Sequence, residues 1–404
     1  MKRRNPIIGW LLTLGPGIIT AALVFGPSKI TITSKLGAVY GYSLLWIVVV
    51  AIFFMIIFTN MGARIGLASK NSLLTTIREE WGGKIAIIIG IGIFLVSTSF
   101  QAGNSIGVGI AIAEASGTSP ALWVVVFNLA GIGLLFFRGF YKTLERLMIL
   151  LVGLMLFSFL TTLFFAKPDI VQVVKGFVPS IPLGSEGLII AFMASCFSIV
   201  GAFYQSYLVQ ERKKLNPNVG EETRNSSVTG ILILGVMSAI VLICAAAVLN
   251  PQGIQVTSAS DMAKALEPLF GNYAADLFLI GLFGASFSSL IGNATLGGTL
   301  LSDSMGFGSH LSAKITRGLI GLVMVCGAAI AILFGTLPLK LIVFAQSITI
   351  FLVPFIGIAM YSIANKVRIM GKRKNSAAIK VFGALGLTVI IILAIYNVYD
   401  MFIK

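Results

Sequence analysis

Apolar runs of about twenty residues or more recur from one end of this chain to the other. We read them over 8–37, 43–65, 84–113, 120–138, 144–166, 187–209, 227–249, 273–301, 315–335, 339–364 and 377–399. An α-helix rises about 1.5 Å per residue, so ~20 residues cross the ~30 Å hydrocarbon core of a bilayer. Lipid offers the backbone no hydrogen bonds, which leaves helices and closed barrels as the only spanning structures. Barrel strands are short alternating segments, and these runs are long and continuous. The expectation is an all-α membrane protein with about eleven transmembrane helices. Charged residues make up 11% of the 404 positions and hydrophobic ones 57%, too few charges to cover a water-soluble surface of this size.

The formal charge of +15 does not point to nucleic acid, because the basic residues sit in short loops between apolar runs. One set of loops holds Lys2/Arg3/Arg4, Arg64/Lys70/Arg78/Lys84, Arg138/Lys142/Arg146, Arg212/Lys213/Lys214/Arg224, Lys314/Arg317 and Lys366/Arg368/Lys372/Arg373/Lys374/Lys380, which is 22 of the 29 basic residues. The opposite set holds Lys35, Lys167, Lys175, Lys264, Lys340 and Lys404. The positive-inside rule then puts the N-terminus in the cytoplasm and, with an odd number of spans, the C-terminus outside a plasma (inner) membrane. Met1-Lys2-Arg3-Arg4 is not read as the start of a signal peptide, since no small-residue cleavage site follows. The longest stretches between spans, 167–186, 210–226 and 250–272, are loop-sized, and Asp261–Leu266 suggests a short helix on the outer surface.

Chemistry-bearing residues are sparse. Cys196, Cys244 and Cys326 all fall in apolar runs and read as packing residues. His310 lies in a loop, and the acids fall in loops or at span ends, with Asp276 and Asp303 near opposite ends of the eighth span. No nucleophile–base pair and no usable acid pair sits within the spans, so an enzyme is not expected, nor is a cofactor.

Two spans look interrupted. In the first, Gly26-Pro27-Ser28 lies about twenty residues into the run, and proline there removes a helical hydrogen bond. In the sixth, Ser195-Cys196-Phe197-Ser198 and Gly201 interrupt an apolar helix. Weakened helices at matching places in two halves point to a transporter with its site between them, near the bilayer midplane. Lys29 follows the first break and is the only basic residue deep in a span. A buried ionisable group is a functional candidate, unless its long stem lets it reach the outer surface.

The residues from Gly15-Pro16-Gly17 through Gly41-Tyr42-Ser43-Leu44-Leu45-Trp46, then Ala63-Arg64-Ile65-Gly66-Leu67-Ala68-Ser69-Lys70-Asn71-Ser72-Leu73, Lys142-Thr143-Leu144-Glu145-Arg146, Gly284-Ala285-Ser286-Phe287-Ser288-Ser289 with Gly297-Gly298, and Ala345-Gln346-Ser347 with Pro354-Phe355 resemble, in that order, the NRAMP family of metal transporters. The resemblance spans almost the full chain. It implies the LeuT-like fold, two inverted five-helix repeats (here about 8–166 and 187–364) plus an extra helix at 377–399. It also implies divalent metal transport, with proton coupling among the family's properties.

The family's metal site is not matched. At its first break the family carries Asp-Pro-Gly-Asn, where this chain has Gly26-Pro27-Ser28-Lys29. The family's sixth-span Met-Pro-His has no counterpart here, and the acidic proton route of its third span aligns with Gln101 and Asn104. Gln346 alone matches a coordinating position. The candidate substrate-binding residues are therefore Gly26, Ser28, Lys29, Ser198, Ala202, Gln205 and Gln346, with Gln101 and Asn104 on the pathway and the metal ligands unknown. Three readings stand: a metal-ion transporter of NRAMP type, a transporter of a small organic or anionic solute in which the Lys29 ammonium replaces a bound cation, and a non-transporting membrane sensor. The expected partners are a small solute or metal ion and membrane lipid, with the chain acting as a monomer.

Overall fold

The structure, a computed structural model, describes residues 15–137, 139–215, 221–254, 256, 261, 272–334 and 339–402, and the side chains among them outside 221–226, 272–275, 339–348 and 400–402. The expected outer-surface helix at 261–266 lies outside the described residues except at Asp261. The helices, in chain order, are α1 (Gly15–Val24), α2 (Pro27–Tyr40), α3 (Leu45–Ala68), α4 (Leu73–Trp81), α5 (Gly83–Ser116), α6 (Pro120–Leu134), α7 (Phe140–Ala166), α8 (Ile170–Lys175), α9 (Glu186–Cys196), α10 (Ile199–Leu215), α11 (Glu221–Val248), α12 (Asn272–Ser304), α13 (Lys314–Phe334), α14 (Leu339–Asn365), α15 (Val367–Met370) and α16 (Ala377–Phe402).

Among the described residues, eight helical segments are long and apolar enough to cross a membrane, counting α9 with α10 as one. Two bent helix pairs add further crossings if each is counted as one span. One is α1 with α2, at 64°, and the other is the end of α14 with the α15 segment, at 67°. The first bend was expected from Gly26-Pro27; the second was not. Helix α6 is apolar but only 15 residues long, shorter than the expected 120–138, because the chain passes into turns at Leu135–Phe137.

Local signals explain the ends. Pro27 and Pro120 each sit in the first turn of a helix, where a missing N–H costs nothing. The Ser72 hydroxyl accepts the Thr75 N–H at the start of α4, and the Asp169 carboxylate accepts the Val171 and Gln172 N–H groups at α8. Gly117 ends α5 in the left-handed region, at φ 66°.

The helices sort into two packed groups. In one, α5 lies along α12 over the most extensive interface in the molecule, with α13 against both and α6 against α5 and α13. In the other, α11 packs against α1, α2 and α3, and α3 against α10. Small residues allow the close crossings. A methyl at Gly62 would lie 2.1 Å from the Ala202 carbonyl oxygen, and one at Gly66 2.4 Å from that of Ser206, so α3 and α10 meet backbone to backbone. Gly230 of α11 meets Gly17 of α1 in the same way, at 2.2 Å. Large apolar side chains such as Leu150, Phe164, Leu333 and Ile395 face outward, a surface suited to acyl chains and not to water.

Candidate functional site

Both expected interruptions are present and face one cavity. α1 ends at Val24, Gly26 is extended (φ −96°, ψ 177°), and α2 begins at Pro27. α9 ends at Cys196, Phe197 leaves the helical region, and α10 begins at Ile199. The Ser198 hydroxyl accepts the Gly201 N–H at 3.1 Å and so caps α10. On the other side of the first break, Ser288 and Ser289 of α12 donate to the Ala22 carbonyl at 3.2 and 2.9 Å. Those bonds hold the frayed end of α1 to the opposite helix group.

The cavity has a volume of about 70 Å³, room for about two waters at ~30 Å³ each or for one small polar group. Gly26, Ser28, Lys29, Asn104 and Ser198 line it, joined by Ser97, Ser195, Asn293 and Thr349 on the polar side. Apolar walls come from Val96, Phe100 and Val353 among others. Among the described residues the lining holds no carboxylate, imidazole or thioether, and no cluster of three or more metal-binding side chains occurs.

Lys29 sets the electrostatics. It is 1% exposed, so it does not reach the outer surface. Its Nζ lies 5.0 Å from the centroid of the Phe192 ring, a cation–π contact from α9. Cys196 lies beside it. Nζ has no hydrogen-bond partner among the described residues. Its backbone position is equally adverse, because Lys29 stands in the first turn of α2, where the helix dipole is positive. By helix geometry the N–H groups of Ser28 and Lys29 have no acceptor within α2. An ammonium and a helix N-terminus thus converge on one small space, with no anionic side chain among the described residues of its lining.

Three other candidates lie elsewhere. Gln101 is fully buried, and its Nε2 donates to the Leu290 carbonyl at 3.0 Å, tying α5 to α12. Ala202 is one turn beyond Ser198 and packs on Gly62. The Gln205 amide donates to the Ser227 hydroxyl at 2.6 Å and its Oε1 accepts from Thr20, joining α10 to α11 and α1. Helix periodicity carries both residues away from the break toward the basic loops. The Gln346 side chain lies outside the described residues. Ser97, Asn293 and Thr349 are not among the candidates expected from the sequence. The 97/104 and 286/289/293 spacings do mark polar stripes on α5 and α12, and that signal was available.

Toward the basic face the route is closed. Residues 15–23 of α1 are all buried. Past Gln205, the Tyr207 hydroxyl donates to Asp303 Oδ2 at 2.6 Å, and Ser72 donates to the same oxygen at 2.5 Å. Thr75 donates to Asp303 Oδ1 at 3.3 Å. This cluster joins α4 and α10 to the end of α12. At the surface, Glu80 pairs with Lys366 and Arg368, and those two cations hold its carboxyl below the ordinary carboxylate value.

Two broken spans meeting at a small polar cavity between two helix groups define a transporter architecture of the LeuT type. Solved structures agree. A manganese transporter from Eremococcus coleocola, in complex with an aromatic bis-isothiourea compound, superposes with a TM-score of 0.78, covering 99% of this chain and 88% of that one at 19% identity. MhsT in complex with L-phenylalanine gives 0.59, covering 96% and 98% at 14% identity. Mhp1, a nucleobase-cation-symport-1 family transporter, gives 0.58, covering 96% and 93% at 13% identity. At the level of sequence, the family model for natural resistance-associated macrophage protein-like (Nramp) proteins matches residues 17–400. The chain belongs to the Nramp family. Divalent metal cation transporters MntH of Deinococcus radiodurans and Bacillus subtilis are 27% and 25% identical to it, covering 96% and 98% of this chain and 89% and 93% of theirs.

Proposed function

We propose that this protein is a secondary transporter that carries its solute through the cavity at the two breaks, and that the solute presents a negatively charged group to Lys29. One observation carries the substrate class: a buried ammonium with no hydrogen-bond partner among the described residues lines the cavity at a helix N-terminus. A bare dication at ~4 Å from it would be repelled by on the order of 4 kcal/mol per unit charge at an intermediate dielectric. A carboxylate there would gain both the ammonium and the free N–H groups of α2.

The second reading is divalent metal transport, and whole-chain similarity to MntH proteins favours it. It requires the Lys29 ammonium to give up its charge or its place, because hydroxyl and amide oxygens alone would have to hold the metal. On this reading any proton coupling runs through Lys29, the one titratable side chain among the described residues of the cavity lining. We also take the basic face as cytoplasmic, the repeats as 8–166 and 187–364, and the transporting unit as one chain.

The test is uptake into proteoliposomes, with Mn²⁺, Mg²⁺ and Ca²⁺ set against a panel of amino and organic acids, with and without a pH gradient. Saturable uptake of an acid, abolished by Lys29→Ala, is expected. Saturable Mn²⁺ uptake that survives Lys29→Ala supports the metal reading and removes the anionic one.

A further inference from the structure

A second cavity, of about 430 Å³, opens on the basic face between the end of α3 and the start of α16. Asn60 and Arg64 line it from α3, and Lys372, Arg373, Lys374 and Ser376 line it from the segment that enters α16. Arg64 is 7% exposed. It donates to Asn375 Oδ1 at 3.2 Å and to the Arg373 carbonyl, so a buried cation holds the basic segment in place. The side chains of Lys372, Arg373 and Lys374 are exposed and make no ion pair among the described residues.

Neighbouring clefts on this face carry their own counter-charges, Glu79 and Glu80 in one and Asp303 in another. Among the described residues this one has no carboxylate in its lining. It also takes in the N-terminus of α16, a 26-residue helix. The Ile379 N–H is loosely met by Ser376 Oγ at 3.5 Å, and the N–H groups of Ala377 and Ala378 have no acceptor within their own helix. Four cations and a helix N-terminus converge on a space large enough for a phosphate ester.

The surroundings select the source of that phosphate. Immediately beyond the cavity, Val381, Phe382 and Leu385 of α16 are exposed at 58%, 41% and 49%. Such a surface holds acyl chains, and a soluble anion would gain nothing from it. We infer that this cavity binds the headgroup of an anionic phospholipid, with the tails lying along α16. The inference does not depend on what the central cavity carries. It fits the face on which basic loops cluster, where such headgroups are drawn to juxtamembrane lysine and arginine.

The experiment is native mass spectrometry of the full chain in detergent, titrated with phosphatidylglycerol, with phosphatidylcholine, and with phosphatidylglycerol in the presence of inorganic phosphate. Phosphatidylglycerol binds saturably and phosphatidylcholine far more weakly. Lys372→Gln/Lys374→Gln, two exposed changes, weakens phosphatidylglycerol binding roughly ten- to thirty-fold. Lys142→Gln/Lys314→Gln, on the same face and remote from the cavity, leaves it unchanged. Equal binding in the first variant, or equal loss in the second, overturns the site. Displacement by inorganic phosphate at concentrations matching the lipid's overturns the lipid as its occupant.

Discussion

The Tyr207 hydroxyl donates a 2.6 Å hydrogen bond to Oδ2 of Asp303, joining the middle of α10 to the end of α12. These helices belong to the two different packed groups. Because Ser72 and Thr75 of α4 converge on the same carboxylate, one side chain fastens three elements on the basic face. A hydrogen bond to a charged group contributes about 1.5–3 kcal/mol. Tyr207→Phe should therefore destabilise this closed arrangement by about that much. Cys196, buried beside Lys29, is the reporter: a membrane-permeant maleimide should label it several-fold faster in the variant. An unchanged labelling rate would show that the cluster is not a closure.

Lys29→Met should stabilise the protein while ending transport. The thioether chain fills the same space and removes a buried charge that has no hydrogen-bond partner among the described residues. Replacing buried ionic groups by apolar ones of similar volume is often neutral or stabilising by about 1–4 kcal/mol. A rise in thermal midpoint in detergent checks it. A large fall would mean that the ammonium is well satisfied.

Lys29→Asp alone should not create efficient Mn²⁺ uptake. It supplies one carboxylate, but the α9–α10 break still has no thioether or imidazole facing the cavity. Uptake by the variant at the rate of an MntH protein in parallel proteoliposomes would show that one ligand suffices.

Glu80 gives a pH dependence whose sign is set. Its carboxyl is held below the ordinary value of 4.5 by Lys366 first and then Arg368. The stabilisation it contributes is present above 4.5 and is lost as the pH falls through the lower folded value. The difference in thermal midpoint between wild type and Glu80→Gln should thus be constant from pH 7 down to about 4.5 and shrink below. A gap that persists in stronger acid would assign the effect to packing.

Gly230→Ala should cost about 1–3 kcal/mol, the usual penalty for overpacking. Its methyl would lie 2.2 Å from the Gly17 backbone. Chemical denaturation in mixed micelles reads it, and an unchanged midpoint would show that the two helices part freely.

The spans were legible because lipid imposes one strict rule on length and polarity, and the same rule made Lys29 conspicuous. The first break was legible because Gly26-Pro27 leaves the backbone little choice. The cavity's membership was harder to read. Ser97, Asn293 and Thr349 come from three different helices, and only their packing aims them at one point. Gln205 shows the converse. It is polar, mid-span and near a break, yet its amide is satisfied by Ser227 and Thr20, partners distant in the chain.

Gly17 and Gly230 touch with no side chain between them, so nothing interlocks α1 with α11 at that level. A smooth bearing of this kind lets a half-span swing as a rigid lever about the unwound residues at 25–26, without first unthreading knobs from holes. The Ser288 and Ser289 hydroxyls on the Ala22 carbonyl and the Thr20 hydroxyl on Gln205 then act as the latch, and the bare backbone crossing is what the latch has to restrain.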